Sequence, residues 1–289
     1  MPSPGARFRA LLARPEPVVL PGCADALTAR IAVGAGFEAV YATGAGIANA
    51  ALGRPDIGLT TMTEVLAHVG PMCEAVDVPI VADIDTGFGN AINVQRTVRA
   101  FERAGVAAIQ LEDQVFPKRC GHFAEVEVVA LDVMLGKLRA ALDARRDPSL
   151  VVIARTDAAA SEGLGAAIER GQRFAEAGAD LVFVEAPGSL EDLAELPRRI
   201  AAPLVANMVE GGRTPLLSAA ELGALGYRVV LFANTALRVG AFAVRDALAQ
   251  LRATGDARPL QDRMLSWADR QALVGLDEIE RLEARYSGA

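Results

Sequence analysis

Cysteine and histidine are scarce in this chain of 289 residues, which has three of one and two of the other. Cys23, Cys73 and Cys120 show no metal-type pairing, which argues against a zinc site or a disulfide framework and fits a reducing cytoplasm. No block of basic residues stands out. With a net charge of −7 and a pI near 5.1, nucleic acid and acidic membranes are poor partners. Long apolar runs are also missing. The longest uncharged stretch, residues 39–53, is broken by Gly44, Gly46 and Asn49 and falls short of the roughly 20 apolar residues of a spanning helix. Residues 1–15 carry Arg7, Arg9 and Arg14 but no apolar run suited to a secretory signal. What the chain does have is apolar material, 52% of it against 22% charged, enough for a large core and too much for disorder.

That apolar material is ordered in a repeat. Short runs rich in Val, Ile and Ala alternate with longer amphipathic stretches, the pattern of strands buried on both faces between helices. Eight runs predict strands, at 18–20, 39–43, 79–85, 107–113, 150–157, 181–187, 203–208 and 227–234. In the helical stretch 91–104, Ile92, Val94, Val98 and Phe101 fall on one face. Gly36, Gly105, Gly178 and Gly226 read as helix stops. Eight units in this length favour an α/β fold of the (β/α)8 TIM-barrel type over an open sheet. Residues 3–14 predict an extra N-terminal helix, and 259–286 one or two C-terminal helices that dock on a barrel or a neighbouring subunit. With no linker or composition break, residues 1–289 read as one barrel domain.

Chemistry in such a barrel belongs to the C-terminal strand ends. Those positions here are Thr43, Asp83, Asp85, Glu112, Asp113, Arg155, Asp157, Glu185, Asn207 and Asn234, above apolar strand interiors. Asp and Asn also cap helices, but carboxylates from several strands together with an Arg and an Asn are better explained by a site. Asp83 and Asp85, two apart on an extended strand, share a face. Gathered with Glu112 and Glu185 they require a cation, and oxygen donors without histidine favour Mg2+ or Mn2+ over zinc. Arg155 suits a bidentate grip on a substrate carboxylate or phosphonate.

Lys118-Arg119-Cys120-Gly121-His122 lies on a long loop after the fourth strand, residues 114–125. Only Lys118 and Lys137 are lysines, against 27 arginines, so Lys118 stands where Arg would not serve. A thiol among Lys118, Arg119 and His122 is in an electropositive setting that favours thiolate and proton exchange near neutral pH. Cys73 and His68 read as helix packing residues, and Cys23 as an unreactive rim residue after the first strand. Thr43-Gly44-Ala45-Gly46 is half a dinucleotide fingerprint. Asn49 replaces its third small residue, so its glycines are read as letting backbone amides approach a carboxylate.

Taken together, Thr43-Gly44-Ala45-Gly46, Leu52-Gly53-Arg54-Pro55-Asp56, Ala82-Asp83-Ile84-Asp85-Thr86-Gly87, Leu111-Glu112-Asp113-Gln114, the Lys118–His122 string, Ala154-Arg155-Thr156-Asp157 and Asn207-Met208-Val209-Glu210-Gly211-Gly212 resemble the isocitrate lyase and phosphoenolpyruvate mutase superfamily over nearly the whole chain. The resemblance implies Mg2+ at Asp85, supported by Asp56, Asp83 and Glu112. It implies that Thr43, Gly44 and Ala45 hold one end of a small carboxylate substrate and that Arg155 grips its carboxylate. It makes Cys120 the general acid on a mobile loop, with Lys118, Gly121, His122, Glu185 and Asn207 completing the site. It also implies a homotetramer in which the eighth barrel helix is swapped between subunits.

Thr43, where the family often has Ser, and Ala233-Asn234, where many relatives have Pro at the first position, alter the pocket wall and bring Asn234 to it. The Asn207–Gly212 string is closer to dimethylmalate lyases and carboxyphosphonoenolpyruvate mutases than to tricarboxylate lyases, so isocitrate is not expected. The activity implied is a Mg2+-dependent carbon–carbon lyase acting on a substituted malate or methylisocitrate-type 2-hydroxy dicarboxylate. Alternatives are a carboxyvinyl-carboxyphosphonate phosphorylmutase and, from another class, a non-catalytic barrel that binds a ligand.

Overall fold

The computed structural model describes residues 2–119, 121 and 126–287. Eight parallel strands close in chain order into a barrel: β1 (Val18–Cys23), β2 (Val40–Ala42), β3 (Ile80–Asp83), β4 (Ala108–Glu112), β5 (Val151–Thr156), β6 (Leu181–Val184), β7 (Leu204–Asn207) and β8 (Tyr227–Phe232). All eight expected strands form, in the expected (β/α)8 TIM-barrel architecture. β1 runs three residues further than expected, so Cys23 is the last strand residue, fully buried, rather than a rim residue beyond it.

Local sequence sets the helix limits. Thr61 and Glu64 bond reciprocally at the start of Met62–Ala75, as do Asn90 and Asn93 before Ala91–Ala104 and Ser218 and Glu221 before Ala219–Leu225. Gly105 (φ 97°) and Gly226 (φ 108°) end helices in the left-handed region, where a Cβ is disfavoured. Val94, Val98 and Phe101 are fully buried beneath Ala91–Ala104, but Ile92 is 73% exposed because it sits in the first turn beyond the core-facing stripe. His68 and Cys73 are half-buried in Met62–Ala75 beside the buried Met72.

Strand alternation places the functional residues. On β5, Val152 and Ala154 pack outward with the helix layer, whereas Val151 and Ile153 join the barrel interior. The next inward position is Arg155. The same count runs from Val81 to Asp83, from Ala108 through Gln110 to Glu112, from Phe183 to Glu185 and from Val205 to Asn207. Each inward row is therefore apolar at its start, with Gln110 already polar on β4, and polar at its C-terminal end.

Helix Pro4–Leu12 closes the opposite end, with Phe8 and Leu11 in the interior cluster. The C-terminal segment forms a 3-10 turn at Arg258–Arg263 and helices Trp267–Leu273 and Leu276–Tyr286. Leu260 in this segment is 3% exposed and Arg30 Nη1 donates to the Leu273 carbonyl at 3.4 Å, while Trp267 and Ile279 stay exposed.

Candidate active site

Strand ends β2 to β4 make the acidic side of the rim. Asp83 is the last residue of β3, and its Oδ1 accepts the backbone N–H of Asp85 at 3.1 Å while Oδ2 accepts that of Gly44 at 3.3 Å. Asp85 is not on an extended strand as expected. The strand stops at Asp83 and Asp85 takes φ 47°, a left-handed conformation that a non-glycine residue holds only when its surroundings impose it. The two carboxylates still converge. A Cβ placed on Gly44 would lie 3.0 Å from Asp83 Oδ2 and 3.2 Å from Asp85 Oδ1. Thr43 caps helix Gly44–Leu52 by accepting from the Gly46 amide.

Lys118 reaches into this group from the long loop. Its Nζ lies 2.6 Å from Asp56 Oδ1 and 2.7 Å from Asp85 Oδ1, and the residue is 3% exposed. Burial raises the Asp85 and Glu112 carboxyls above their ordinary range, Lys118 pulling the first back and Arg155 the second. Burial alone would lower Lys118, but the carboxylates around it, Asp85 foremost, drive its pKa upward. The charge of Lys118 is thus committed to Asp56 and Asp85, while the thiol setting expected around Cys120 lies outside the described residues.

The basic side is built on β5 to β7. Arg155 Nε and Nη2 donate to Asp157 Oδ2 and Oδ1 at 2.9 and 2.7 Å, so the bidentate fork expected for substrate is held by Asp157. Nη1 lies 3.5 Å from Glu185 Oε2, and the guanidinium stacks over Phe183 at 5.1 Å. Asn207 Nδ2 donates to both Glu185 oxygens at 3.3 Å. A Cβ on Gly121 would lie 2.4 Å from Asp157 Oδ1, so the loop backbone rests directly on this cluster. Gln114 secures the loop's near end, accepting from the Arg119 N–H and donating to its carbonyl, each at 2.8 Å.

Thr43, Ala45, Asp56, Asp83, Lys118, Gly121, Arg155, Glu185, Asn207 and Asn234 all line one cavity of about 40 Å³, small beside the ~300–1,000 Å³ of ordinary ligand pockets. Asp85, Glu112 and Gly44 adjoin it through the contacts above. Cys120 and His122 lie outside the described residues. Residues that sequence reading did not assign to the site are Tyr41 and Val209, which line the cavity, Arg119, read only as part of the loop's positive charge, and Asp157, read as a rim residue but not as the partner of Arg155. Asp157 was legible as a same-face neighbour of Arg155. Tyr41 lies below the strand ends and gave no such signal.

The donors fit a hard divalent cation. Among the described residues Glu112 Oε1 is buried without a hydrogen-bond partner, and the surrounding acidic oxygens need compensating charge. Among the described residues no three Asp, Glu, His or Cys side chains form a protein-only metal cage. Mg2+ does not need one, since it keeps several waters and binds through one or two carboxylates.

A parallel barrel with carboxylates facing an arginine cluster across a closed rim defines an enzyme of small anionic substrates. Residues 8–252 match the phosphoenolpyruvate phosphomutase family model. The chain is 45% identical over 282 residues to the 2,3-dimethylmalate lyase of Eubacterium barkeri, covering 98% of each. To the 2-methylisocitrate lyase of Shewanella oneidensis it is 41% identical, covering 99% of this chain and 98% of that one. A crystal structure of 2,3-dimethylmalate lyase superposes with a TM-score of 0.93 at 37% identity, over 100% of this chain and 97% of that one. Phosphonopyruvate hydrolase in complex with oxalate and Mg2+ superposes with 0.89 at 32%, over 99% of each. The chain belongs to the phosphoenolpyruvate mutase and isocitrate lyase family.

Proposed function

We propose that the chain is a Mg2+-dependent carbon–carbon lyase, cleaving a 2-hydroxy dicarboxylate of the substituted malate or methylisocitrate type to a 2-oxo acid and a carboxylic acid. The observation that carries this reading is the order of chemistry around the cavity. Carboxylates and Lys118 come from the β3–β4 side, Arg155, Glu185 and Asn207 from β5 to β7, and Val209, Leu231 and Ala233 from β7 and β8. The wall is mixed: Val209, Leu231 and Ala233 suit a methyl-bearing C3, as in a 2,3-dimethylmalate-like substrate, while Arg119 and Asn234 suit the further carboxylate of a methylisocitrate-like one.

Asp85, with Asp56, Asp83 and Glu112, would hold the cation. When bound it lowers the pKa of a chelating 2-hydroxyl. The N-terminal end of helix Gly44–Leu52, where Thr43 and Ala45 line the cavity, would receive the adjacent carboxylate through the Ala45 amide and the Thr43 hydroxyl, the Gly44 and Gly46 amides being taken by Asp83 and Thr43. Arg155 holds the other carboxylate, its fork fixed by Asp157 and its outer nitrogen directed by Glu185, which Asn207 orients. The 2-hydroxyl proton passes to a carboxylate of the rim, and the O–H pair becomes the second bond of the new carbonyl. The C2–C3 pair passes to C3 as an enolate, and the Cys120 thiol supplies the proton that ends there. Lys118 and His122 complete the loop side of the site.

With Mg2+, malates that carry a methyl on C2 are expected to yield pyruvate, and those substituted on C3 alone glyoxylate. Chelation with EDTA should abolish this, and Mg2+ or Mn2+ should restore it; turnover that survives chelation would remove the metal from the proposal. The matching phosphomutase family model favours one second reading, a carboxyvinyl-carboxyphosphonate phosphorylmutase. Phosphorus NMR detecting a new carbon–phosphorus bond, with no oxo acid from any malate, would select it.

Helix Thr235–Thr254, which follows β8, has no buried residue and exposes Val239, Phe242, Val244 and Leu248. That supports a homotetramer in which this helix is exchanged between subunits. Light scattering should give four times the 30.2 kDa of one chain, and a monomer at micromolar concentration would rule it out. No helix among the described residues is long and apolar enough to cross a membrane, and the cysteine pattern supports a cytoplasmic enzyme.

A further inference from the structure

Lys137 is the second lysine of a chain that otherwise uses arginine, and the proposed reaction gives it no part. It lies in helix Leu131–Ala144, outside the barrel, and is 7% exposed. Its Nζ donates to the backbone carbonyl of Thr86 at 2.9 Å, one residue beyond Asp85.

The turn after β3 is bent at three places, with Asp85 at φ 47°, Gly87 at 81° and Phe88 at 58°. Its buried carbonyls are matched one by one. Ile84 O accepts from the Gly87 N–H at 2.8 Å, Asp85 O from the Glu112 N–H at 2.9 Å, and Gly87 O from Thr97 Oγ1 at 3.2 Å. The Thr86 carbonyl takes the ammonium of Lys137, the one charged donor in this set. A buried carbonyl left without a donor is costly, and a left-handed aspartate persists only while its neighbours fix it.

We propose that Lys137 is a positioning residue, holding the Thr86 carbonyl so that the turn presents the Asp85 carboxylate to the rim. The inference rests on the reading of Asp85 as a metal ligand. Outer partners of metal ligands affect affinity in the same way, by fixing the orientation of the group that binds. Both lysines thus serve one aspartate, Lys118 at its carboxylate and Lys137 through its backbone.

The test uses the full chain without substrate, titrated with Mn2+ by electron paramagnetic resonance, alongside amide hydrogen exchange and melting temperature. Lys137→Met should raise the Mn2+ dissociation constant about 10–100-fold and speed exchange at the Asp85 and Gly87 amides. Lys137→Arg should restore most of both. Lys137→Gln, which keeps a neutral donor, serves if the methionine chain does not fold. A lower melting temperature with unchanged Mn2+ affinity would make Lys137 a packing residue and overturn the proposal. If the unaltered chain binds no Mn2+, the metal reading fails by itself, and the exchange comparison still decides: unchanged amides overturn the positioning role.

Discussion

Cys120→Ser is expected to lower turnover of a substituted malate by about 10²–10⁴-fold, the usual weight of a positioned general acid, with little change in KM. Serine keeps the size and loses the acidity, since a thiol releases its proton near pH 8.5 and an alcohol far above any working pH. The other two thiols cannot take over. Burial, aided by Asp25, pushes Cys23 up to about 12, and burial with Glu74 does the same to Cys73; both lie on elements away from the loop. Cys73→Ser is the matched control and should leave turnover unchanged. Ordinary turnover in Cys120→Ser, measured as oxo-acid release with saturating Mg2+, would falsify the assignment.

The barrel was legible because its strands are buried on both faces, so each appears as an unbroken apolar run closed by a polar residue. Asp83, Glu112, Arg155, Glu185 and Asn207 were legible for the same reason, each falling at the C-terminal end of an inward row that is apolar lower down. Asp85 reached the right place by a route the sequence does not display. Alternation assumes extended backbone, and nothing in Asp-Ile-Asp announces a left-handed turn imposed by Lys137, Glu112 and Asp83. The pairing of Arg155 with Asp157 was not legible, because a fork suited to a substrate carboxylate suits Asp157 equally, and only geometry shows which protein partner it meets. Tertiary pairing of charges is the general source of these differences. Residue type records that a charge is present, not which neighbour it meets.

Gly121→Ala is expected to reduce kcat/KM about 100-fold, the scale of a displacement near 1 Å in a catalytic site, while the barrel stays folded. The added carbon would stand 2.4 Å from Asp157 Oδ1, 2.6 Å from Glu185 Cγ and 2.7 Å from Arg155 Nη2. None of these can move freely. Asp157 Oδ1 and Arg155 Nη2 are bonded to each other at 2.7 Å, and Glu185 is held by Asn207. Either the loop lifts, carrying Lys118 from its carboxylates and Cys120 from the substrate, or the Arg155–Asp157 pair opens and the substrate carboxylate loses its fixed partner. Both routes act on the transition state more than on the fold, so the melting temperature should change little. Gly121→Val should be worse than alanine under either route. Gly136→Ala, mid-helix with nothing within 4 Å of the new carbon, isolates the effect of glycine itself and should be neutral or stabilise by up to about 1 kcal/mol. Near-normal kcat/KM in Gly121→Ala would show that the loop does not rest on Arg155 during the reaction, and would separate Cys120 from the cluster that the proposed mechanism places beside it.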